Sequence, residues 1–153
     1  MKIVDILVRE AVVLDLESRD KRGALGELCA ALAAAEPGLE SAPLLEVLQA
    51  REALQSTGIG EGVAIPHGKL PGLPRLLASF ARSRAGVDFE SIDGAPTHLF
   101  VLLVVPEHAG GAHLKALARI SRFFRDEAFR KALLEAGSRA EIVAAIEQED
   151  ARF

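Results

Sequence analysis

The segment with the clearest chemical potential is a glycine-containing stretch that ends in a histidine. Residues 56–69 read STGIGEGVAIPHGK, and every second position from 58 to 62 is glycine. Alternate glycines allow tight turns and leave backbone N–H groups open to an anion. The apolar run at residues 63–65 predicts a short buried strand, which would place His67 at its edge. An imidazole beside an anion-binding loop indicates a histidine that takes up a phosphoryl group.

The loop itself supplies candidate donors to that phosphoryl group. Backbone amides and side-chain hydroxyls stabilise phosphoryl oxygens when they point at the transferring group. The candidates are Ser56, Thr57, Gly58, Gly60 and Gly62. An imidazole with an ordinary pKa of about 6.5 is largely neutral at physiological pH, so it can act as a nucleophile.

Each residue of this constellation also has an ordinary structural interpretation. A lone histidine between proline and glycine is commonly a surface residue, and glycines can serve turn geometry alone. Arg51 and Glu52 can be the solvated end of a helix. His98 precedes an apolar run and His108 lies in a polar segment, which indicates structural or solvent-facing roles. The chemical prediction therefore depends on the segment as a whole.

Other familiar sites do not fit the spacing. The stretch from Gly62 to Lys69 lacks the gap and the hydroxyl residue of a phosphate-binding P-loop, and the glycine pattern is not GxGxxG. No GxSxG nucleophile elbow is present. The histidines do not form HExxH, and Cys29 is the only cysteine. We therefore predict neither a metal site nor a cofactor.

Composition excludes several classes of function. The chain has 153 residues, with 18 basic and 22 acidic side chains and a net charge of −4. It shows no basic footprint for nucleic acid, and it has no Trp or Tyr to stack on bases. No apolar run is long enough to insert into a membrane, and residues 1–5 do not begin a signal peptide. We expect a single cytoplasmic domain over residues 1–153, with Cys29 as a buried thiol in a reducing compartment.

Strand and helix signals alternate along the first half of the chain. Residues 11–16 (AVVLDL) predict an early strand. Ser18 or Asp20 can cap a helix that runs to Ala35, before Pro-Gly. Residues 41–54 predict a second helix with a proline in its first turn. The glycine segment and the His67 strand follow, and then a turn with two prolines at residues 70–75.

The second half predicts two long strands and three helices. Residues 76–82 predict a strand and residues 86–96 a polar connection. The continuous apolar run at residues 99–105 predicts a central strand covered on both faces. Helices are expected at residues 112–124, at 126–136 with an Asp cap, and at 138–148 with a capping box, and a frayed end at 147–153. This order predicts an α/β layered domain with a small mixed sheet flanked by helices.

The sequence resembles the enzyme IIA domains of the fructose/mannitol family in the phosphoenolpyruvate-dependent phosphotransferase system. The resemblance is carried by Arg51-Glu52 and STGIGEGVAIPHGK, and by later blocks at residues 87–94 (VDFESIDG), 99–107 (LFVLLVVPE) and 113–117 (HLKAL). It extends over about residues 1–146 and implies the fold of that family. The segment after the histidine, GKLPGL, is most similar to the nitrogen-regulatory branch.

The resemblance implies a phosphohistidine mechanism and names further residues. His67 matches the phosphoryl-accepting histidine, His113 the second active-site histidine and Arg51 the active-site arginine. The nitrogen-regulatory branch implies a histidine phosphocarrier protein as donor and regulated protein targets. A sugar-transport enzyme IIA, which passes the phosphoryl group to a permease-linked IIB domain, is the alternative.

Two positions depart from the family pattern. Gln55 stands where glycine is frequent, and we expect it to alter only the end of the preceding helix. Glu61 stands where Asn or Gln is frequent, and its carboxylate would repel a bound phosphate unless it points to solvent. A docking patch for the donor could include Leu70, Leu73 and Leu76, although the same side chains could belong to the core.

Overall fold

A five-stranded mixed sheet with helices on both faces forms the centre of the computed structural model, which describes residues 1–153. The helices are α1 (Lys21–Ala35), α2 (Ser41–Leu54), α3 (Ala112–Arg125), α4 (Glu127–Glu135) and α5 (Arg139–Arg152). The strands are β1 (Gly58–Gly60), β2 (Val63–Ala64), β3 (His67–Leu70), β4 (Leu77–Val87) and β5 (Thr97–Pro106). The α/β architecture with a small mixed sheet confirms the predicted fold class.

Strand β5 organises the sheet. It pairs with β4 in antiparallel orientation along one edge. Along its other edge it pairs in parallel first with β2 and then with β3, so that His67 lies opposite Leu103. Strand β1 pairs only with β2, as the outer arm of a hairpin.

The alternating side chains of β5 explain why its sequence is apolar throughout. Phe100 and Leu102 belong to the core on one face, together with buried residues of α1 and α2. Leu99 and Val101 belong to the core on the other face, together with buried residues of α3, α4 and α5. Helices thus cover both faces of the strand, as the continuous apolar run predicted.

Side-chain caps define where several helices begin. Asp20 accepts a hydrogen bond from Gly23 N at the start of α1 (2.8 Å), and Asp126 accepts one from Ala128 N before α4 (3.0 Å). Ser138 accepts from Glu141 N before α5 (3.2 Å). These caps satisfy N–H groups that the first turn of a helix leaves without a partner. They confirm the predicted starts of these helices.

The strand predicted at residues 11–16 is wrong. The segment forms the end of a 3-10 turn and then follows the outer edge of β4, with a single isolated bridge, between Val13 and Ala81, and no continuous strand pairing. Val13 N and Leu16 N donate to carbonyl oxygens of β4 at 2.9 Å and 2.7 Å. The alternation of apolar residues at 11–16 therefore reflects burial of this segment against β4, and not a continuous series of strand hydrogen bonds. Strand β4 itself runs past the predicted end at residue 82, to Val87.

The frayed end predicted for residues 147–153 is also wrong. Helix α5 continues to Arg152, and Asp150 is buried. Its carboxylate accepts hydrogen bonds from Ile3 N and Val4 N, both at 2.9 Å, and forms an ion pair with Arg119 at 3.0 Å. These contacts tie the last helix to the first residues of the chain.

Two smaller observations complete the fold. Cys29 is a buried free thiol, as predicted, and burial raises its pKa to about 12. No helix combines the length and the apolar composition that crossing a membrane requires.

Candidate phosphoryl-transfer site

The three residues predicted to be catalytic line one surface pocket of about 480 Å³. Arg51 comes from the last turn of α2, His67 begins β3, and His113 lies in the first turn of α3. The parallel pairing of β3 with β5 brings these elements together, because α3 begins just after β5 ends. The rest of the lining is mostly apolar: Val47, Ala50, Leu54, Gly68, Lys69, Val105, Leu114 and Leu117.

The ring of His67 is oriented by its own backbone neighbourhood. Its Nδ1 atom lies 2.8 Å from the carbonyl oxygen of Ile65. A carbonyl oxygen can only accept, so in the neutral ring Nδ1 carries the proton and Nε2 the lone pair. Nε2 has no hydrogen-bond partner within the protein, so its lone pair is free to react.

Burial lowers the pKa of His67 below its ordinary value. The hydrogen bond to Ile65 raises this pKa, the charge of Arg51 lowers it, Glu52 raises it and His113 lowers it, in decreasing order. Because the net direction is downward, the ring is held neutral at physiological pH and its lone pair stays available.

The two flanking residues are anchored in ways that leave donors for an anion. Arg51 Nη1 donates to the carbonyl oxygen of Gln55 at 2.9 Å, where α2 ends, and its other N–H groups make no hydrogen bond within the protein. His113 Nδ1 lies 3.1 Å from the carbonyl oxygen of Gly110, so its Nε2 is also open and donates to an anion only in the protonated ring. The Arg51 guanidinium can neutralise phosphoryl oxygens, and the protonated ring of His113 can donate to them.

The glycine after His67 serves packing. A Cβ atom at Gly68 would lie 2.6 Å from Cγ1 of Val47, on α2. Only a residue without a side chain lets α2 approach β3 this closely, and this approach brings Arg51 to His67.

The predicted loop is a β-hairpin that points away from His67. Strands β1 and β2 form its arms, and its turn contains Gly60, Glu61 and Gly62, all with positive φ (93°, 58° and 73°). The tip of the hairpin lines a different pocket, next to Phe124 and Arg130. The positive φ values explain the glycines as turn residues.

None of the five predicted phosphate donors lines the His67 pocket. Thr57 gives both its N–H and its hydroxyl to the carboxylate of Glu52. Gly58 N donates to the hydroxyl oxygen of Ser56 at 3.0 Å, and Ser56 in turn donates to Phe89 O at 3.5 Å. Phosphate donation by Ser56, Thr57, Gly58, Gly60 and Gly62 stays a prediction, and the structure shows that hydrogen bonds within the fold occupy the first three.

The carboxylate of Glu61 does not face the pocket. Its side chain is 77% exposed and lies 3.8 Å from Arg130 on α4. The condition set by the sequence, that this carboxylate must point to solvent if it is not to repel a phosphate, is therefore met.

Three residues to which the sequence assigned no role at the site lie in or next to it. Glu52, for which a solvated helix end was the ordinary interpretation, has a side chain that is only 3% exposed. Leu54 and Leu114 flank the pocket and are 83% and 62% exposed. An exposed leucine at the end of a helix has no signature in the sequence, since the same residue type fills the core.

The three leucines that the sequence offered as a docking patch do not line the pocket that contains His67. Leu76 is buried in the core, and Leu70 and Leu73 are half-buried against the core.

His98 has the expected structural role, because its Nδ1 lies 2.8 Å from the carbonyl oxygen of Ser83. His108 lies in the turn after β5 and is exposed.

The comparison with known families gives this geometry its context. The model of the family "Phosphoenolpyruvate-dependent sugar phosphotransferase system, EIIA 2" matches residues 5–149. The chain belongs to this family. A nitrogen regulatory protein of Bradyrhizobium diazoefficiens is 49% identical over 133 residues, which cover 87% of this chain and 86% of that protein.

Both nitrogen regulatory proteins and sugar-specific components of the family are similar to the chain. The fructose-specific EIIABC component of Bacillus subtilis is 39% identical over 98% of this chain, which corresponds to 24% of that longer protein. The crystal structure of the nitrogen regulatory protein IIA-Ntr from Neisseria meningitidis superposes with a TM-score of 0.86 at 38% identity, covering 93% of this chain and 97% of that one. IIA mannitol from Escherichia coli shares the fold, with a TM-score of 0.72 at 19% identity over 90% of this chain and 96% of that one.

Proposed function

We propose that this enzyme IIA protein accepts a phosphoryl group on Nε2 of His67 from a histidine phosphocarrier protein, and that it regulates other proteins according to its phosphorylation state. The observation that carries the proposal is the pocket in which His67, Arg51 and His113 meet, with Nδ1 of His67 engaged by Ile65. The lone buried thiol fits a cytoplasmic site of action.

The transfer conserves charge and needs no cofactor. The lone pair of Nε2 attacks the phosphorus of the carrier's phosphohistidine, and the carrier's P–N bond breaks as its imidazole takes back the electron pair. The proton stays on Nδ1, which donates to the carbonyl oxygen of Ile65 throughout. Since phosphoryl transfer has a loose transition state, the protein contributes position and positive charge. Arg51 supplies that charge, and His113 donates a hydrogen bond from Nε2 when its ring is protonated.

The rim of the pocket suits a transient protein complex. Leu54 and Leu114 expose large apolar side chains at the pocket that contains His67, and apolar side chains grouped on a surface mark a site for protein contact. We propose that the carrier docks on these two residues.

The regulatory role rests on similarity to nitrogen regulatory proteins over most of both chains. The phosphoryl group would add negative charge to an exposed pocket and so change which proteins fit there. The alternative is sugar transport, in which the phosphoryl group passes to a IIB domain. The Bacillus subtilis fructose-specific relative favours this alternative.

The proposal is tested by incubation with phosphoenolpyruvate, enzyme I and a histidine phosphocarrier. We expect an acid-labile, base-stable label on the wild type and none on His67→Ala. Full labelling of that variant would overturn the assignment. Pull-downs with and without the phosphorylating mixture then separate the two roles: a partner whose binding depends on phosphorylation supports regulation, whereas onward transfer to a IIB domain and sugar supports transport.

A further inference from the structure

Glu52 is a buried carboxylate at the centre of three elements. It lies on α2 next to Arg51, and its side chain is 3% exposed. It accepts from Thr57 N at 3.1 Å and 3.2 Å and from the Thr57 hydroxyl. Lys21 of α1 lies 3.0 Å from its second oxygen.

The partners of Glu52 explain why the position needs a carboxylate. Thr57 presents two donors and Lys21 a third, so the group between them must accept at both oxygens. A buried carboxylate also needs a counter-charge, and Lys21 supplies it from a site that is itself only 17% exposed, 5.0 Å above the ring of Phe89.

A chain of hydrogen bonds leads from Glu52 to the ring of His67. Glu52 holds the N–H of Thr57. The carbonyl oxygen of Thr57 accepts from Ile65 N at 3.0 Å. The carbonyl oxygen of Ile65 then lies 2.8 Å from Nδ1 of His67. Each hydrogen bond in this series holds in place the part of the backbone that forms the following hydrogen bond.

We propose that Glu52 is a positioning residue of the phosphoryl-acceptor site, which acts through Thr57 and Ile65 to keep the His67 ring in its Nδ1–H form with Nε2 facing the pocket. The inference rests on the proposed function. Glu52 does not line the pocket, so it would control the conformation of the His67 ring from outside the pocket.

The charge of Glu52 acts on the same ring. Burial lowers the pKa of His67, Arg51 and His113 lower it further, and Glu52 opposes them. Removal of the carboxylate should therefore lower this pKa again, in addition to loosening the ring. A residue that merely stabilised the fold would leave the tautomer of His67 unchanged, whereas the lower pKa by itself reports the lost charge.

The test compares Glu52→Gln with Glu46→Gln, whose glutamate is exposed on the same helix. ¹⁵N NMR of the imidazole ring reports the tautomer and the pKa, and single-turnover transfer from the labelled carrier reports the rate. For Glu52→Gln we expect a lower population of the Nδ1–H form, a lower pKa of His67 and a transfer rate about 10–100-fold lower, with KM for the carrier unchanged. Glu46→Gln should match the wild type.

A folded Glu52→Gln protein with a wild-type tautomer and transfer rate would overturn the inference, whatever the pKa of His67. If the single variant does not fold, Glu52→Gln combined with Lys21→Met removes the unpaired buried ammonium and carries the same test. The NMR readout does not depend on phosphorylation. Failure of the wild type to accept a phosphoryl group would therefore overturn the proposed function, while the ring tautomer would still decide the role of Glu52.

Discussion

Ile65 and His67 form a hydrogen-bonded turn across a single proline. The carbonyl oxygen of Ile65 lies 2.8 Å from Nδ1 of His67, and Pro66 between them has a fixed φ. Proline also keeps the residue before it in an extended conformation. The sequence Ile-Pro-His therefore restricts the orientation of the carbonyl group that selects the ring tautomer, and the chemistry proposed at Nε2 depends on this local geometry.

The lowered pKa of His67 predicts how transfer depends on pH. In the proposed reaction neutral imidazole is the nucleophile, so the rate should exceed half of its maximum at pH 6.5 and reach its midpoint at a lower pH. The charged groups that act on the ring are Arg51, Glu52 and His113. Single-turnover rates between pH 5 and 8, together with an NMR titration of His67, check this, and a midpoint above 6.5 would contradict it.

The same shift has a consequence for stability. The unfolded chain binds the proton more readily than the folded one, because the pKa of His67 is lower in the fold. As the pH falls below about 6.5 toward the lowered pKa, the free energy of unfolding should therefore decrease by this contribution. Urea unfolding of the wild type and of His67→Ala across this interval isolates it, and parallel pH profiles of the two proteins would rule it out.

His113→Ala should slow phosphoryl transfer without preventing folding. The side chain makes one exposed hydrogen bond, to Gly110, so the core does not need it. Loss of one donor to a transferring group typically costs roughly 10²–10³ in rate. Single-turnover transfer from the labelled carrier measures the effect, with His108→Ala as the control on an exposed histidine in the preceding turn. An unchanged rate would leave His113 with a structural role only.

Substitutions at the rim of the pocket should weaken docking of the carrier. Leu54→Ser and Leu114→Ser remove exposed apolar contacts, so we expect a higher KM for the carrier with kcat and stability unchanged. Ile92→Ser is the matched control, because Ile92 is 68% exposed and lies outside the pocket. If all three variants behaved alike, the docking surface would have to lie elsewhere.

Asp150→Ala should destabilise the fold strongly. The carboxylate is buried, holds the N–H groups of Ile3 and Val4, and neutralises Arg119. Removing one partner of a buried ion pair costs roughly 3–5 kcal/mol in the free energy of unfolding. Glu147→Ala, which breaks the exposed pair with Arg9 at 3.3 Å, should cost about 0–1 kcal/mol. Urea titrations of the two variants give the comparison, and equal losses would contradict it.

The sequence alone predicted the helices and the central strand, and it named the three residues that one pocket brings together. Asp20, Asp126 and Ser138 cap helices where their residue types predicted caps, because capping is a contact between near neighbours in the chain. The apolar run of β5 predicted burial on both faces, since a strand repeats its environment every two residues. The segment around His67 was distinctive enough to indicate its family.

Tertiary structure decided what depends on partners far apart in the chain. Residues 11–16 carry a strand-like pattern but form a single isolated bridge with β4, and the end of α5 is ordered because Asp150 reaches Ile3. The glycines form a hairpin directed away from His67, which turn chemistry alone cannot distinguish from an anion-binding loop. The burial of Glu52 depends on Lys21 and Thr57, which come from other elements. A local sequence pattern predicts the contacts of a residue with its neighbours in the chain. Contacts between residues far apart in the chain depend on tertiary packing.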